Sequence, residues 1–176
     1  MADVQGSFEE GFRYGLAELL VEMPELEKAL QDIAAEEAVE YGRTAARQAV
    51  APALWRMLAG EVLSTEQVRE LLGVSRQALN KRVTKGTLLG LPGERTTLFP
   101  AWQFDASGEV RPAVSVVLRE FRDRLGDDVD PRIVLSWASA RQPELEGEAP
   151  ADWIRADGDT AALKRAAERA AEALAR

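Results

Sequence analysis

Residues 75–85 carry the side chains with the most specific chemistry in this sequence. Arg and Lys suit guanine edges, Asn and Gln suit adenine edges, and hydroxyl groups contact bases or phosphates. The candidate DNA-binding residues in this segment are Ser75, Arg76, Gln77, Asn80, Lys81, Thr84 and Lys85. The segment contains no Asp or Glu, so no carboxylate there would repel a phosphate group.

Two short helices joined by a tight turn are predicted to position these side chains. Ser64 and Gln67 have the spacing of a capping box, which begins the first helix. Gly73 supplies the turn, and Ser75 caps the second helix. The side chains expected to face the core are Val68, Leu71 and Leu72 in the first helix and Ala78, Leu79 and Val83 in the second. The pattern predicts a helix-turn-helix.

A β-hairpin is predicted directly after the second helix, which ends at Gly86. Three leucines at 88, 89 and 91 lead into the turn signal at 92–95, and residues 96–99 form a β-rich run. Such a wing would place Arg95 and Thr96 against the DNA backbone or the minor groove.

An ordinary solvated helix pair is the alternative interpretation. Arg69 favours it, because a helix-turn-helix usually has a small residue there, and Arg82 lies near a position that is often apolar. The charge distribution favours DNA. Residues 61–100 hold four acids and six bases, whereas residues 1–60 hold eleven and five, and residues 101–176 hold fifteen and eleven.

The composition argues against catalysis. The chain has no His and no Cys, which removes the commonest general base, metal ligand and thiol nucleophile. We therefore expect no enzyme activity, no cofactor and no metal. No apolar run is long enough to cross a bilayer, and the acidic N-terminus lacks a signal core, so we expect a cytoplasmic protein without membrane contact.

The first sixty residues are predicted to form an acidic helical arm. Residues 7–22 place Phe8, Phe12, Leu16, Leu19 and Leu20 on one stripe. A second helix is predicted from Glu25, and a helical run over 36–59 is expected to be interrupted or kinked at Pro52 and to end at Gly60. These helices either pack on the chain's own core or form a homodimer.

The C-terminal region is predicted to be helical. Pro112 and Pro131 begin two helices, residues 141–160 form a long irregular stretch, and Asp159 with Thr160 caps a last helix to Arg176. Trp55, Trp102 and Trp137 are interpreted as core residues. Trp153 anchors either its own loop or a protein partner, because large aromatic side chains dominate interface hot spots.

The order of motifs resembles the antitoxins of the Xre/MbcA/ParS type. The matching segments are LSTEQVRELLGVSRQALNKRV, LFPAWQFDASGEVRPAVSVVL and LSWASARQPELEGEAPADWIRADGDTAAL, and the similarity runs from Ser64 to the C-terminus. The pattern of that family is a helix with a tryptophan, then a Leu-x-Gly-x-x-Pro stretch, then Gly-Asp before a final helix. Trp137, residues 145–150 and residues 158–159 match these three features in turn. The resemblance implies operon autoregulation and a toxin partner, often of the RES type that attacks NAD. It implies that Leu145, Pro150 and Asp159 bind that partner, and Trp153 is the fourth candidate, from its size and its place in the irregular stretch.

The sequence therefore predicts a mainly α protein with three parts. These are a helical arm over 1–60, a winged helix-turn-helix over 61–104 and a small helical toxin- or partner-binding domain over 105–176. The predicted function is binding of double-stranded DNA at the protein's own operator, by a homodimeric antitoxin-like regulator. The alternatives are a standalone helix-turn-helix regulator and a protein-interaction module that does not bind DNA.

Overall fold

The protein is described as a computed structural model that covers residues 4–23, 25, 28, 34–93 and 96–176. The helix predicted from Glu25 and the predicted contact residue Arg95 therefore lie largely or wholly outside the described residues. The chain divides into two compact units, Met1–Ala51 and Pro52–Arg176. Within the described residues, no helix is long and apolar enough to cross a bilayer.

The first unit contains helix α1, Val4–Glu22, and most of helix α2, Ala35–Ala59. Four residues of the predicted α1 stripe are exposed, namely Phe8, Phe12, Leu16 and Leu19, while Leu20 is half-buried. The rings of Phe8 and Phe12 stack with centroids 6.4 Å apart. Helix α2 continues through Pro52, so the helix is not interrupted there, and the alternative of a kink stays a prediction. A proline removes a single backbone donor, and the remaining turns of a 25-residue helix keep their hydrogen bonds.

The helix-turn-helix lies in the second unit. Strand β1, Val62–Ser64, leads into helix α3, Thr65–Leu72, and helix α4 spans Arg76–Thr84. The Ser64 hydroxyl accepts the Gln67 N–H at 3.3 Å, and the Gln67 side chain accepts the Ser64 N–H at 2.8 Å. Gly73 ends α3 with φ +62, in the left-handed region that glycine adopts without steric cost. The predicted caps and turn are confirmed.

A three-stranded antiparallel sheet flanks the two helices. Strands β2, Leu91–Pro92, and β3, Thr97–Pro100, form the predicted hairpin, and β3 also pairs with β1 so that the strand order is β1-β3-β2. The prediction of a mainly α protein with a small β-hairpin is confirmed. Strand β1 was not predicted, because three residues are too few to show an alternating pattern.

Four helices complete the second unit: α5, Pro112–Leu125; α6, Pro131–Ser139; α7, Pro150–Arg155; and α8, Thr160–Leu174. The prediction of one long irregular stretch over 141–160 is wrong, because that stretch contains a 3₁₀ turn at Pro143–Leu145 as well as α7. Pro150 occupies the first turn of α7, where its fixed φ favours a helix rather than a loop.

Two apolar clusters stabilise this unit. The smaller cluster contains Val68, Leu79, Leu88, Phe99 and Phe104, and it joins the helix-turn-helix to the sheet. The larger cluster lies among the C-terminal helices and includes Trp102 and Trp137, with Trp55 packed against its edge. Helices α5 and α8 contact each other through it, and the buried Glu120 of α5 pairs with Arg124 at 2.7 Å. The three tryptophans interpreted as core residues therefore lie in or against the core.

Candidate nucleic-acid interface

Helix α4 is anchored by one side and exposes the other. Leu79 is completely buried, and Val83 is half-buried against the smaller apolar cluster. The predicted DNA-binding residues that the structure describes are all exposed, namely Ser75, Arg76, Gln77, Asn80, Lys81, Thr84 and Lys85. Ser75 is also the helix cap, since its hydroxyl accepts the Ala78 N–H at 3.2 Å. The structure thus brings these residues together on one open surface.

The cations of this surface have no carboxylate partner. Among the described residues, Arg76, Lys81 and Lys85 make no ion pair, and neither does the half-buried Arg82 beside them. Many other cations of the same unit are paired, including Arg122 with Asp127 at 2.8 Å. An unpaired cation keeps its full charge available to an anion from outside. The charge of α4 is therefore not compensated by the neighbouring described structure.

Two side chains of the helix pair differ from prediction. Ala78 is exposed, although it was expected to face inward, because its position on α4 lies beside the anchored face rather than within it. Leu71 is 43% exposed instead of buried. Its side chain lies over Gly108 so closely that an added Cβ there would come within 2.6 Å of Leu71 Cδ1. Leu71 thus packs on a surface turn and not in the core.

Arg69, which argued against a helix-turn-helix, is accommodated at the surface of α3. Its Nη1 binds both carboxylate oxygens of Glu66, at 2.9 and 3.0 Å. Only its Nε atom is buried without a partner. An Arg side chain can bury its stem and keep its charged group in water, so the two helices form despite the large residue.

Gln103 connects the loop that follows α4 to the wing, and the sequence did not indicate this role. Its side chain is completely buried. Its Oε1 accepts the Leu89 N–H at 2.6 Å, while its Nε2 donates to the carbonyls of Leu89 at 2.9 Å and Pro100 at 3.2 Å. A lone polar residue within the apolar run FPAWQF was the available signal. Gln103 thus satisfies both main-chain hydrogen-bonding groups of the buried Leu89, which lies outside the strands.

Arg122 of α5 was also missed, and it holds the C-terminal end of α4. Its Nη1 donates to the Thr84 carbonyl at 2.8 Å, and its Nε and Nη2 donate to Asp127 at 3.2 and 2.8 Å. The last carbonyls of a helix lack partners within the helix, so a guanidinium there stabilises the end. Because the contact spans 38 residues, no local pattern indicates it.

The wing is tied to the start of α3 by two threonines. Thr96 Oγ1 donates to Thr65 Oγ1 at 2.9 Å, and Thr65 Oγ1 donates to the Thr97 carbonyl at 3.0 Å. Thr96 is exposed, as the predicted contact with the DNA backbone requires. The neighbouring Arg95, predicted to contact DNA, lies outside the described residues.

The predicted partner-binding residues have local structural roles. Leu145 and Pro150 are buried, and Asp159 caps α8 by accepting the N–H groups of Ala161 and Ala162, each at 3.0 Å. Trp153 is half-buried, and its Nε1 donates to the Asp159 carbonyl at 3.1 Å. Trp153 and Asp159 therefore lie together, while Leu145 and Pro150 shape the loop from inside. Contact of these four residues with a partner stays a prediction.

In the described part of the chain, no group of three or more Asp, Glu, His or Cys side chains is arranged to hold a metal ion. The exposed surface of α4 offers guanidinium, ammonium, amide and hydroxyl groups. These groups donate hydrogen bonds to phosphate oxygens and to base edges.

Comparison with protein-family models gives no match to this chain, and comparison with curated proteins gives none either. Among solved structures, the chain is similar to the NMR structure of Rv2175c. The TM-score is 0.50, the sequence identity is 24%, and the similarity covers 66% of this chain and 82% of that one. At this level of identity, the similarity is one of fold.

Proposed function

We propose that the protein binds double-stranded DNA through its helix-turn-helix, with α4 in the major groove and the wing beside it. The observation that carries the proposal is the acid-free surface of α4, whose cations have no ion-pair partner in the described structure. Unpaired cations attract the phosphate backbone, which supplies much of the affinity of DNA-binding proteins. The rest of this acidic chain would repel DNA, so binding would be confined to this surface.

Base recognition would come from the exposed residues near the start of α4. Arg76 suits a guanine edge, Asn80 or Gln77 suits an adenine edge, and Lys81 suits guanine or a phosphate. The major groove is about 12 Å wide and admits one α-helix, and helix-turn-helix proteins contact bases with the N-terminal part of the second helix. The exposed donors of α4 match that geometry.

The finer proposal is an antitoxin-like cytoplasmic regulator that binds its own operator and a toxin of the RES type. Its support is the order of motifs described above for the Xre/MbcA/ParS resemblance. A homodimer is part of this proposal, and its support is the exposed apolar stripe of α1, including Phe8, Phe12, Leu16 and Leu19. A dimer would place two copies of α4 in successive major grooves, about 34–36 Å apart.

A protein-interaction module without DNA binding is the second candidate. The same exposed stripe of α1 favours it, because exposed apolar side chains grouped on one helix face mark contact surfaces. A standalone regulator would bind DNA without a toxin. Co-purification with the product of the neighbouring gene separates the toxin-binding proposal from the standalone regulator.

The DNA-binding proposal is tested with the triple variant Arg76→Ala, Asn80→Ala and Lys81→Ala. We expect affinity for a duplex from the upstream region to fall more than about 100-fold, because each contact contributes roughly 1–3 kcal/mol. Fluorescence anisotropy measures the affinity, and circular dichroism verifies the fold. The control removes two exposed cations of the C-terminus, Arg165→Ala and Arg176→Ala, and should bind like the wild type.

Undiminished binding by the triple variant would show that α4 does not recognise DNA. Absence of duplex binding by the wild-type protein, at low salt and at micromolar concentration, would favour the interaction module.

A further inference from the structure

The C-terminal end of α4 is held tightly against one face of α5. Gly86 follows α4 with φ +66, and a Cβ added there would lie 2.5 Å from Arg122 Nη1 and 2.9 Å from its Cδ. The Arg122 side chain therefore lies directly over the glycine while it donates to the Thr84 carbonyl. This close approach fixes the relative positions of the two helices at their junction.

Three side chains of α5 share the face that this junction presents. Ser115, Arg119 and Arg122 are spaced by four and three residues, which places them on one side of a helix. Together with Lys85 and Thr87, they line a cavity of about 230 Å³. Lys85 belongs to the exposed surface of α4, so the cavity continues that surface onto α5.

The polar groups of the cavity differ in what they have available for a ligand. The Thr87 hydroxyl donates to the Arg82 carbonyl, and the Ser115 hydroxyl donates to the Pro112 carbonyl. Arg122 is engaged with Asp127. In contrast, the side chains of Lys85 and Arg119 are exposed and make no ion pair or hydrogen bond within the described chain. These two cations are therefore the donors that an anion would meet.

One acidic group opposes such an anion. Asp123 lines the same cavity, lies one turn after Arg119 and makes no ion pair among the described residues. Asp127 also lines it, but its carboxylate accepts both Nε and Nη2 of Arg122. The cavity thus holds two available cations and one uncompensated carboxylate. Neutralising that carboxylate should change the affinity for an anion in the opposite direction to neutralising a cation.

We infer that Arg119 of α5, together with Lys85, contacts a phosphate of the DNA backbone beside the major groove that α4 enters. The DNA interface would then extend past residue 104 into the helical region over 105–176 that is predicted to bind a toxin or another partner. This inference rests on the proposed DNA binding. The continuity of the cavity with α4 through Lys85 favours a backbone phosphate, since the ends of recognition helices contact the backbone in other DNA-binding motifs.

The test is the salt dependence of duplex binding by Arg119→Gln. Each neutralised phosphate contributes about 0.9 to the slope of log affinity against log salt, so the slope should become shallower by about 0.9. Between 50 and 200 mM salt, the ratio of the wild-type affinity for the duplex to that of the variant should shrink about threefold. The control Arg165→Gln removes another exposed arginine, on α8, and should leave the slope unchanged.

Asp123→Asn should act in the opposite direction and tighten duplex binding at low salt by a few-fold, because it removes a repulsive charge beside the phosphate. Inorganic phosphate distinguishes DNA from a free anion. At constant ionic strength we expect it to leave thermal stability unchanged, whereas saturable stabilisation that Arg119→Gln abolishes would assign the cavity to free phosphate instead.

The outcomes separate the two proposals. If the wild type binds the duplex and Arg119→Gln has the wild-type slope, the α5 contact is wrong while recognition by α4 stands. If the wild type binds no duplex, both are wrong. A shallower slope for Arg119→Gln, with an unchanged slope for Arg165→Gln, supports the contact.

Discussion

Replacing Gln103 by Met tests whether a buried amide holds the helix-turn-helix to its wing. Methionine has a similar length and volume but offers neither the N–H donor nor the carbonyl acceptor. The substitution removes the three hydrogen bonds of Gln103, two to the main chain of Leu89 and one to the Pro100 carbonyl. Leu89 is itself buried, so water has little access to its main chain.

The expected loss follows from the groups left without partners. The Leu89 N–H and carbonyl would each be buried and unsatisfied, at about 1–3 kcal/mol per group. The hydrogen bond to the Pro100 carbonyl is longer, at 3.2 Å, and we assign it only a small share of the free energy. Because methionine recovers some apolar contact, the net loss in the free energy of unfolding should be roughly 2–4 kcal/mol. That corresponds to a Tm lowered by roughly 5–15 °C.

Urea denaturation followed by circular dichroism measures this loss, and the matched control is Gln77→Met. Gln77 is exposed on α4 and makes no hydrogen bond through its side chain among the described residues, so the control should stay within about 0.5 kcal/mol of the wild type. A loss below about 0.5 kcal/mol for Gln103→Met would refute the reasoning, because it would mean that the main chain of Leu89 does not depend on Gln103.

Two further predictions concern other parts of the second unit. Gly158→Ala should shift the tryptophan fluorescence and lower the free energy of unfolding by roughly 1–3 kcal/mol, because the new Cβ would lie 2.5 Å from the Trp153 ring. Adding Trp153→Leu to this variant should relieve the clash, and an unchanged fluorescence spectrum of Gly158→Ala would contradict the prediction. Hydrogen bonds from the Ser107 side chain, then from the Glu109 N–H, lower the pKa of Asp105, so its contribution to stability is present above its unfolded pKa of about 3.9 and is lost as pH falls through the lower folded value. Asp105→Asn should therefore weaken the acid dependence of unfolding below about pH 4, and an unchanged acid profile would argue against this role.

Helix boundaries were predictable where the determining contacts are local. Ser64, Gly73 and Ser75 act on backbone groups at most four residues away, so their types and spacing indicate the caps and the turn. The anchoring of α4 by Leu79 follows from the same short-range periodicity. Proline at 150 was harder to interpret, because the same residue type marks both loops and first helical turns, and α7 was missed for that reason.

The exposed surface of α4 was also predictable in outline. A helix that needs few apolar anchors leaves its remaining side chains to solvent, which identifies Arg76, Asn80 and Lys81 without a structure. Ala78 shows the limit of this reasoning, since small residues lie equally well inside a core or beside it. The unpaired state of the cations could not be predicted, because it depends on which carboxylates the fold brings near them.

The sequence by itself determined the helix-turn-helix, the hairpin and the chemical types on α4, because capping, turn geometry and hydrophobic periodicity act over a few residues. Only the tertiary structure decided what holds α4 in place and what lies beside it. Gln103 reaches Leu89 across 14 residues and Arg122 reaches Thr84 across 38, and no local pattern specifies which buried polar groups will meet at such separations. Packing of α5 against that junction is what brings Arg119 to the same cavity as Lys85.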